Sequence, residues 1–200
     1  MRINKSMAAV LKDIDIGDIK PDFSYPIWEK KDKAGRPYWG VSHFFNIDRH
    51  GISREEDLSI LEWDGNEVNL ETHSEAGVQD ILKGTIAIIK AWKEVLESDY
   101  GNVPFYILAS YCDNREELES GEASDFFAIT TFRFWAPRGQ DTVTDLSDFE
   151  EWKEPAILIE CNNQSDIFFG RTRHIVRPEK SSGRIFQVYQ GFAGFPAGWF

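Results

Sequence analysis

Four histidines, two cysteines and two runs of carboxylates are the side chains of this 200-residue chain that could carry chemistry. His43, His50, His73 and His174 fall at no helical ligand spacing, and none stands at finger spacing from Cys112 or Cys161, so no metal site is expected. A Cys–His nucleophile needs its partners to meet only in space, and no local motif supports one. There is no Gly-x-Ser-x-Gly elbow. The glycine-rich ending from Gly191 to Phe200 lacks the Lys and Ser/Thr of a phosphate-binding loop and starts no helix, so no nucleotide or other cofactor is expected. Carboxylate pairs suited to acid–base work, such as Glu62 with Asp64 or Asp113 with Glu116, are too numerous to single one out.

Charge is more informative. Lys and Arg number 22 and Asp and Glu 34, a net charge of −12 that disfavours non-specific attraction to nucleic acid or anionic lipid. Residues 1–110 carry net −6, residues 111–160 net −9 and residues 161–200 net +3, so the acidity is concentrated in the middle of the chain. It falls into two clusters, Asp113, Glu116, Glu117, Glu119, Glu122 and Asp125 with Arg115, and Asp141, Asp145, Asp148, Glu150, Glu151 and Glu154 with Lys153, each net −5. Carboxylates between strands are usually a solvated surface, but such a surface interleaves both signs, and these clusters do not. Asp113, Glu116, Glu117, Glu119, Asp141, Asp145, Asp148, Glu150 and Glu151, with Trp152 as an aromatic anchor, are therefore the expected contacts to a basic protein partner. Arg171, Arg173, His174, Arg177, Lys180 and Arg184, near Phe168, Phe169 and Phe186, have a composition able to bind single strands; the overall negative charge favours instead their pairing with carboxylates.

These residues must be positioned by a fold. Val78, Ile81, Leu82, Thr85, Ile88, Ile89, Trp92, Val95 and Leu96 recur at steps of three and four, which predicts an amphipathic helix over about 74–99 with Ser74 as N-cap and Gly101 as stop. Strands are expected at 38–47, 105–111, 126–136, 156–161 and 185–190, with weaker ones at 167–171 and 174–176. Segments 58–63 and 67–72 flank Asp64-Gly65, which predicts a hairpin. The 126–136 strand is apolar on both faces and should be central. Residues 21–35 read as a surface loop, and Leu146, Phe149 and Trp152 could anchor a short helix whose carboxylates face water. Trp28, Trp152 and Trp199 fall in loop-like or terminal contexts, where a tryptophan can serve as a contact.

The order of elements predicts one α+β domain over 1–200, with residues 1–35 as a leading segment and a largely antiparallel sheet carrying the long helix on one face. Two cysteines 49 positions apart read as reduced thiols. The apolar segment Met7 to Leu11 ends before it reaches the length of a secretory signal, and no stretch is long enough to span a bilayer. A cytoplasmic protein is expected. In general character the chain resembles cytosolic immunity proteins that neutralise basic toxin domains, which implies a non-catalytic inhibitor that occludes a toxin's active site. Three other classes stand beside it: an enzyme whose acidic cleft handles a cationic or metal-bound substrate, a nucleic-acid mimic that blocks a DNA-binding protein, and a plain structural component of a larger assembly.

Overall fold

The computed structural model describes residues 1–15, 25–41, 56–115, 126–138 and 143–162. Strands β1 (Arg2–Ile3), β4 (Val68–Thr72), β5 (Phe105–Asp113), β6 (Ala128–Trp135) and β7 (Ala156–Cys161) form one antiparallel sheet in the order β1-β7-β5-β6-β4. A second, two-stranded sheet pairs β2 (Trp28–Lys31) with β3 (Pro37–Gly40). The helices are α1 (Lys5–Leu11), α2 (Glu56–Gly65) and α3 (Val78–Asp99). This is the expected α+β architecture with its long helix against the sheet. Among the described residues no helix is long and apolar enough to cross a membrane.

The apolar stripe of α3 explains its seat. Ile81, Leu82, Ile88, Ile89, Trp92 and Leu96 are buried and meet the inward rows of the sheet: Phe105, Ile107 and Ala109 of β5, Phe132 and Phe134 of β6, and Ile157 and Ile159 of β7. Thr85 and Thr130, the polar residues on this interface, satisfy each other through hydroxyls 2.6 Å apart. Ser74 does not cap the helix. Its side chain makes no capping hydrogen bond, a 3₁₀ turn over Glu75–Gly77 precedes Val78, and the Thr72 hydroxyl bridges to the Ser74 backbone instead. The helix stops at Asp99, where the Tyr100 N–H closes on the Leu96 carbonyl; a Cβ on Gly101 would stand 3.2 Å from the Glu97 carbonyl oxygen.

Three other expectations need correction. Residues 58–63 are not the first strand of a hairpin but the middle of α2, and the paired strand is β6, not a neighbour in sequence. Leu58, Ser59, Glu62, Trp63 and Asn66 are all buried, a helical spacing whose buried members are partly polar and so invisible to an apolar pattern. Part of the expected 21–35 loop is strand β2, which turns through Asp32 and Gly35 (φ 80°) into β3. The Asp32 carboxylate organises that turn by accepting from the Ala34 and Arg36 N–H groups and the Arg36 guanidinium. The expected short helix near 144–152 is a single 3₁₀ turn, Phe149–Glu151.

Strand β5 pairs Cys112 with Ile129 and Phe105 with Cys161. Seven residues of strand therefore separate the cysteines, about 24 Å along the sheet. That is far beyond the roughly 7 Å limit between the Cα atoms of a disulfide. Both are thiols, as expected. The predicted strands at 167–171, 174–176 and 185–190, the basic patch from Arg171 to Arg184, and Trp199 lie outside the described residues.

Candidate functional site

The face of the sheet turned away from α3 carries a second, smaller core. Leu108 of β5, Trp135 of β6 and Ala156 and Leu158 of β7 are buried there with Trp63 of α2 and Phe149 of the 3₁₀ turn. Among the described residues, two pieces of chain cover this face: the C-terminal half of α2, and segment 143–154.

Segment 143–154 divides cleanly by side-chain type. Phe149 is fully buried, with Leu146 and Trp152 packed beside it, and the Phe149 and Trp152 rings meet edge to face at 5.1 Å. Asp145, Asp148, Glu150 and Glu151 are all exposed. Apolar anchors thus fix the turn and leave its carboxylates in water. The Asp145 carboxylate accepts from Ser147, which holds it below the usual carboxylate range. Asn4 ties the segment to the amino terminus: its amide oxygen accepts from the Met7 and Ala156 N–H groups, and its amide nitrogen donates to the Trp152 and Glu154 carbonyls. That placement brings two cations to the turn. Arg2 Nε lies 2.9 Å from Glu150, and Lys5 pairs with Glu151. Both pairs are solvent-exposed, where such contacts contribute about 0–1 kcal/mol.

A cleft opens between α2 and this segment. Trp63 and Trp152 stand on its sides, and Leu108, Ser110, Thr131 and Arg133 form its floor. It is shallow and partly open to solvent, with room for about 20 Å³, roughly one water molecule. Arg133, only 9% exposed, lies with its guanidinium carbon 4.5 Å over the Trp63 ring and pairs with Glu67. Glu67 also accepts from Asn69, whose amide oxygen accepts from the Thr131 hydroxyl at 2.6 Å, so β4 and β6 share one polar ladder on this face. Burial pulls the Arg133 pKa down against the fields of Glu67, Asp64 and Glu154. Glu154 is half-buried and hydrogen-bonded to Ser110; burial raises its pKa and Ser110 and Arg133 pull it back.

The expected contact residues are only partly brought together. Asp145, Asp148, Glu150, Glu151 and Trp152 share the outer face. Asp113, the described member of the first cluster's expected contacts, does not join them. It ends β5, three residues past Ser110 and with the opposite side-chain parity, where it accepts from the Tyr111 hydroxyl and pairs with Arg115, which also reaches Glu75 beside α3. Glu116, Glu117, Glu119 and Asp141 lie outside the described residues. The cleft residues Trp63 and Arg133, and Glu67 that pairs with Arg133, escaped sequence reasoning. A signal existed in Phe132-Arg133-Phe134-Trp135, since an arginine inside an apolar strand requires a partner across the sheet.

A second cluster of charge is internal. Glu62, fully buried, accepts from the Trp39 and Ala136 N–H groups at 3.0 and 2.7 Å and from both terminal nitrogens of Arg138 at 2.7 and 2.9 Å. Burial raises its pKa, while Arg138 and the two N–H groups oppose the rise. Asn66, one turn on, accepts from the Val41 N–H and donates to the Trp39 and Phe134 carbonyls. Together they clamp α2 onto β3 and the end of β6. Among the described residues no group of three or more His, Cys, Asp or Glu is arranged to hold a metal ion. Comparison with family models, curated proteins and solved structures finds no match for the chain.

Proposed function

We propose that the chain is a non-catalytic, acidic protein-binding inhibitor of the immunity-protein kind, acting in the cytoplasm, that occludes the active site of a basic toxin domain. The observation that supports this reading best is the 3₁₀ turn. Phe149 and Leu146 fix its backbone, Asp145, Asp148, Glu150 and Glu151 project from it into solvent, and Trp152 stands beside them. Carboxylates presented on a pre-set backbone attract and orient a cationic surface at little ordering cost, and an adjacent tryptophan supplies area to desolvate. The two exposed pairs with Arg2 and Lys5 are weak enough to exchange for a partner's cations.

The test begins with affinity purification of the chain from its native cells and identification of a stoichiometric partner. The partner should be basic and lose its activity when bound. Association of the purified pair should slow at least about tenfold between low and high salt, and the D145N/D148N/E150Q/E151Q variant should associate more slowly at low salt with an unchanged circular dichroism spectrum. An acidic partner, a partner left fully active, or an association rate indifferent to salt and to the four substitutions would overturn the proposal.

A further inference from the structure

We propose that the outer edge of β4 is a docking site for an extended, basic segment of a protein partner, which adds to the sheet as a further strand with a lysine or arginine opposite Glu71. The site lies apart from the 3₁₀ turn, since β4 and β1, the strand that reaches the turn through Arg2, are the two edges of the sheet, and it does not depend on the function proposed above. The register fixes which backbone groups are open. The Asn114 N–H donates to the Phe127 carbonyl, so by alternation the backbone groups of Ile129, Thr131 and Arg133 point toward β5, and those of Ala128, Thr130 and Phe132 toward β4. The last three stand opposite Thr72, Leu70 and Val68, which therefore bond to β6 and leave the N–H and C=O groups of Asn69 and Glu71 pointing away from the sheet. Among the described residues no backbone group pairs with these four. The other edges among the described residues are closed or guarded: β1 is two residues long, the Trp39 and Val41 N–H groups along β3 are taken by Glu62 and Asn66, and β2 carries Lys30 and Lys31. Strand β4 has no proline, lysine or break in register. Its side chains select the occupant. Val68 and Leu70 are buried in the main core, while Glu67, Asn69 and Glu71 share the opposite face. Glu67 is committed to Arg133, whereas the neighbour of Glu71 is His73, 3.9 Å away and cationic only when protonated. A strand residue opposite Glu71 stands on the same face at about 5 Å, where a cation is favoured; a second copy of β4 would bring further glutamates to an acidic edge. Main-chain bonds then give affinity and the facing cation gives specificity.

Amide exchange of the ¹⁵N-labelled full chain is the test. With the edge open, the Asn69 and Glu71 amides should exchange at least about a hundredfold faster than those of Val68 and Leu70; equal protection would mean that the edge already has an occupant and would overturn the proposal. The probes are the acetylated, amidated pentapeptide KVKVK, the charge-reversed EVEVE, and KVKVK methylated on the backbone nitrogens of its lysines. KVKVK at about ten times its dissociation constant should slow Asn69 and Glu71 exchange about tenfold and leave Leu70 unchanged. EVEVE and the methylated peptide, which lack the charge and the donors respectively, should not. E71K should reverse the preference, taking EVEVE and losing KVKVK, and E71Q should remove the difference between the two, each with an unchanged circular dichroism spectrum. No protection by KVKVK, equal protection by EVEVE or by the methylated peptide, or a preference that neither substitution alters would overturn the proposal. Protection that grows with protein concentration in the absence of peptide, with a matching dimer in sedimentation, would overturn it as well and give the edge to a second copy of the chain.

Discussion

Replacing Glu62 by glutamine should cost about 3–5 kcal/mol of folding stability, the range for breaking a buried ion pair from one side. The geometry gives the reason. Each carboxylate oxygen accepts two donors: Oε1 takes the Trp39 N–H and Arg138 Nη2, and Oε2 takes the Ala136 N–H and Arg138 Nη1. An amide NH₂ in place of either oxygen turns one acceptor into a donor facing two donors. Two hydrogen bonds are lost, and each buried donor left without a partner costs about 1–3 kcal/mol. Arg138 keeps the Pro37 and Ala136 carbonyls but loses its counter-ion. Urea unfolding followed by tryptophan fluorescence reads the loss directly: with a slope of about 2 kcal/mol/M, the midpoint should fall by roughly 1.5–2.5 M. R138M should be similarly damaging because it strands the carboxylate. The E62Q/R138M double variant should cost less than the two single losses combined, by about 1–3 kcal/mol, because contacting residues couple. An E62Q variant within about 1 kcal/mol of wild type would refute the claim that an ionised clamp fixes α2 to β3 and β6.

Three further outcomes are expected. Asn4→Ala removes the α1 cap and three further bonds to residues 152–156, so it should lower stability by about 2–3 kcal/mol in the same urea assay and raise hydrogen exchange around residue 152. Burial pushes the Tyr25 pKa to about 12, so its neutral phenol stabilises the fold fully below the unfolded value of 10.0; that contribution is lost as pH rises from about 10 to about 12, and a thermal scan across this range should show a loss that Tyr25→Phe reduces. The Cys161 thiol is buried and its pKa is raised, whereas Cys112 is half-exposed, so a thiol reagent should modify Cys112 in the native protein and reach Cys161 only in denaturant; rapid native labelling of Cys161 would contradict its place in the core.

The sequence by itself determined the elements that are held in place by apolar packing. Helix α3 was legible because Ile81, Leu82, Ile88, Trp92 and Leu96 repeat at the helical period, and β5, β6 and β7 because their β-branched and aromatic runs suit a covered sheet. The anchoring of the acidic segment by Leu146, Phe149 and Trp152 was legible for the same reason. Tertiary structure alone decided α2. Its buried face, with Asn66 just beyond its end, is built from Ser59 and Glu62 as much as from Leu58 and Trp63, and polar groups become buriable only when donors and acceptors from around β3 and β6, far away in sequence, converge on them. The cleft was hidden likewise. Trp63, Glu67, Arg133, Trp152 and Glu154 belong to separate parts of the chain, and only the antiparallel register of β4 with β6 and the docking of 143–154 on the outer face make them neighbours.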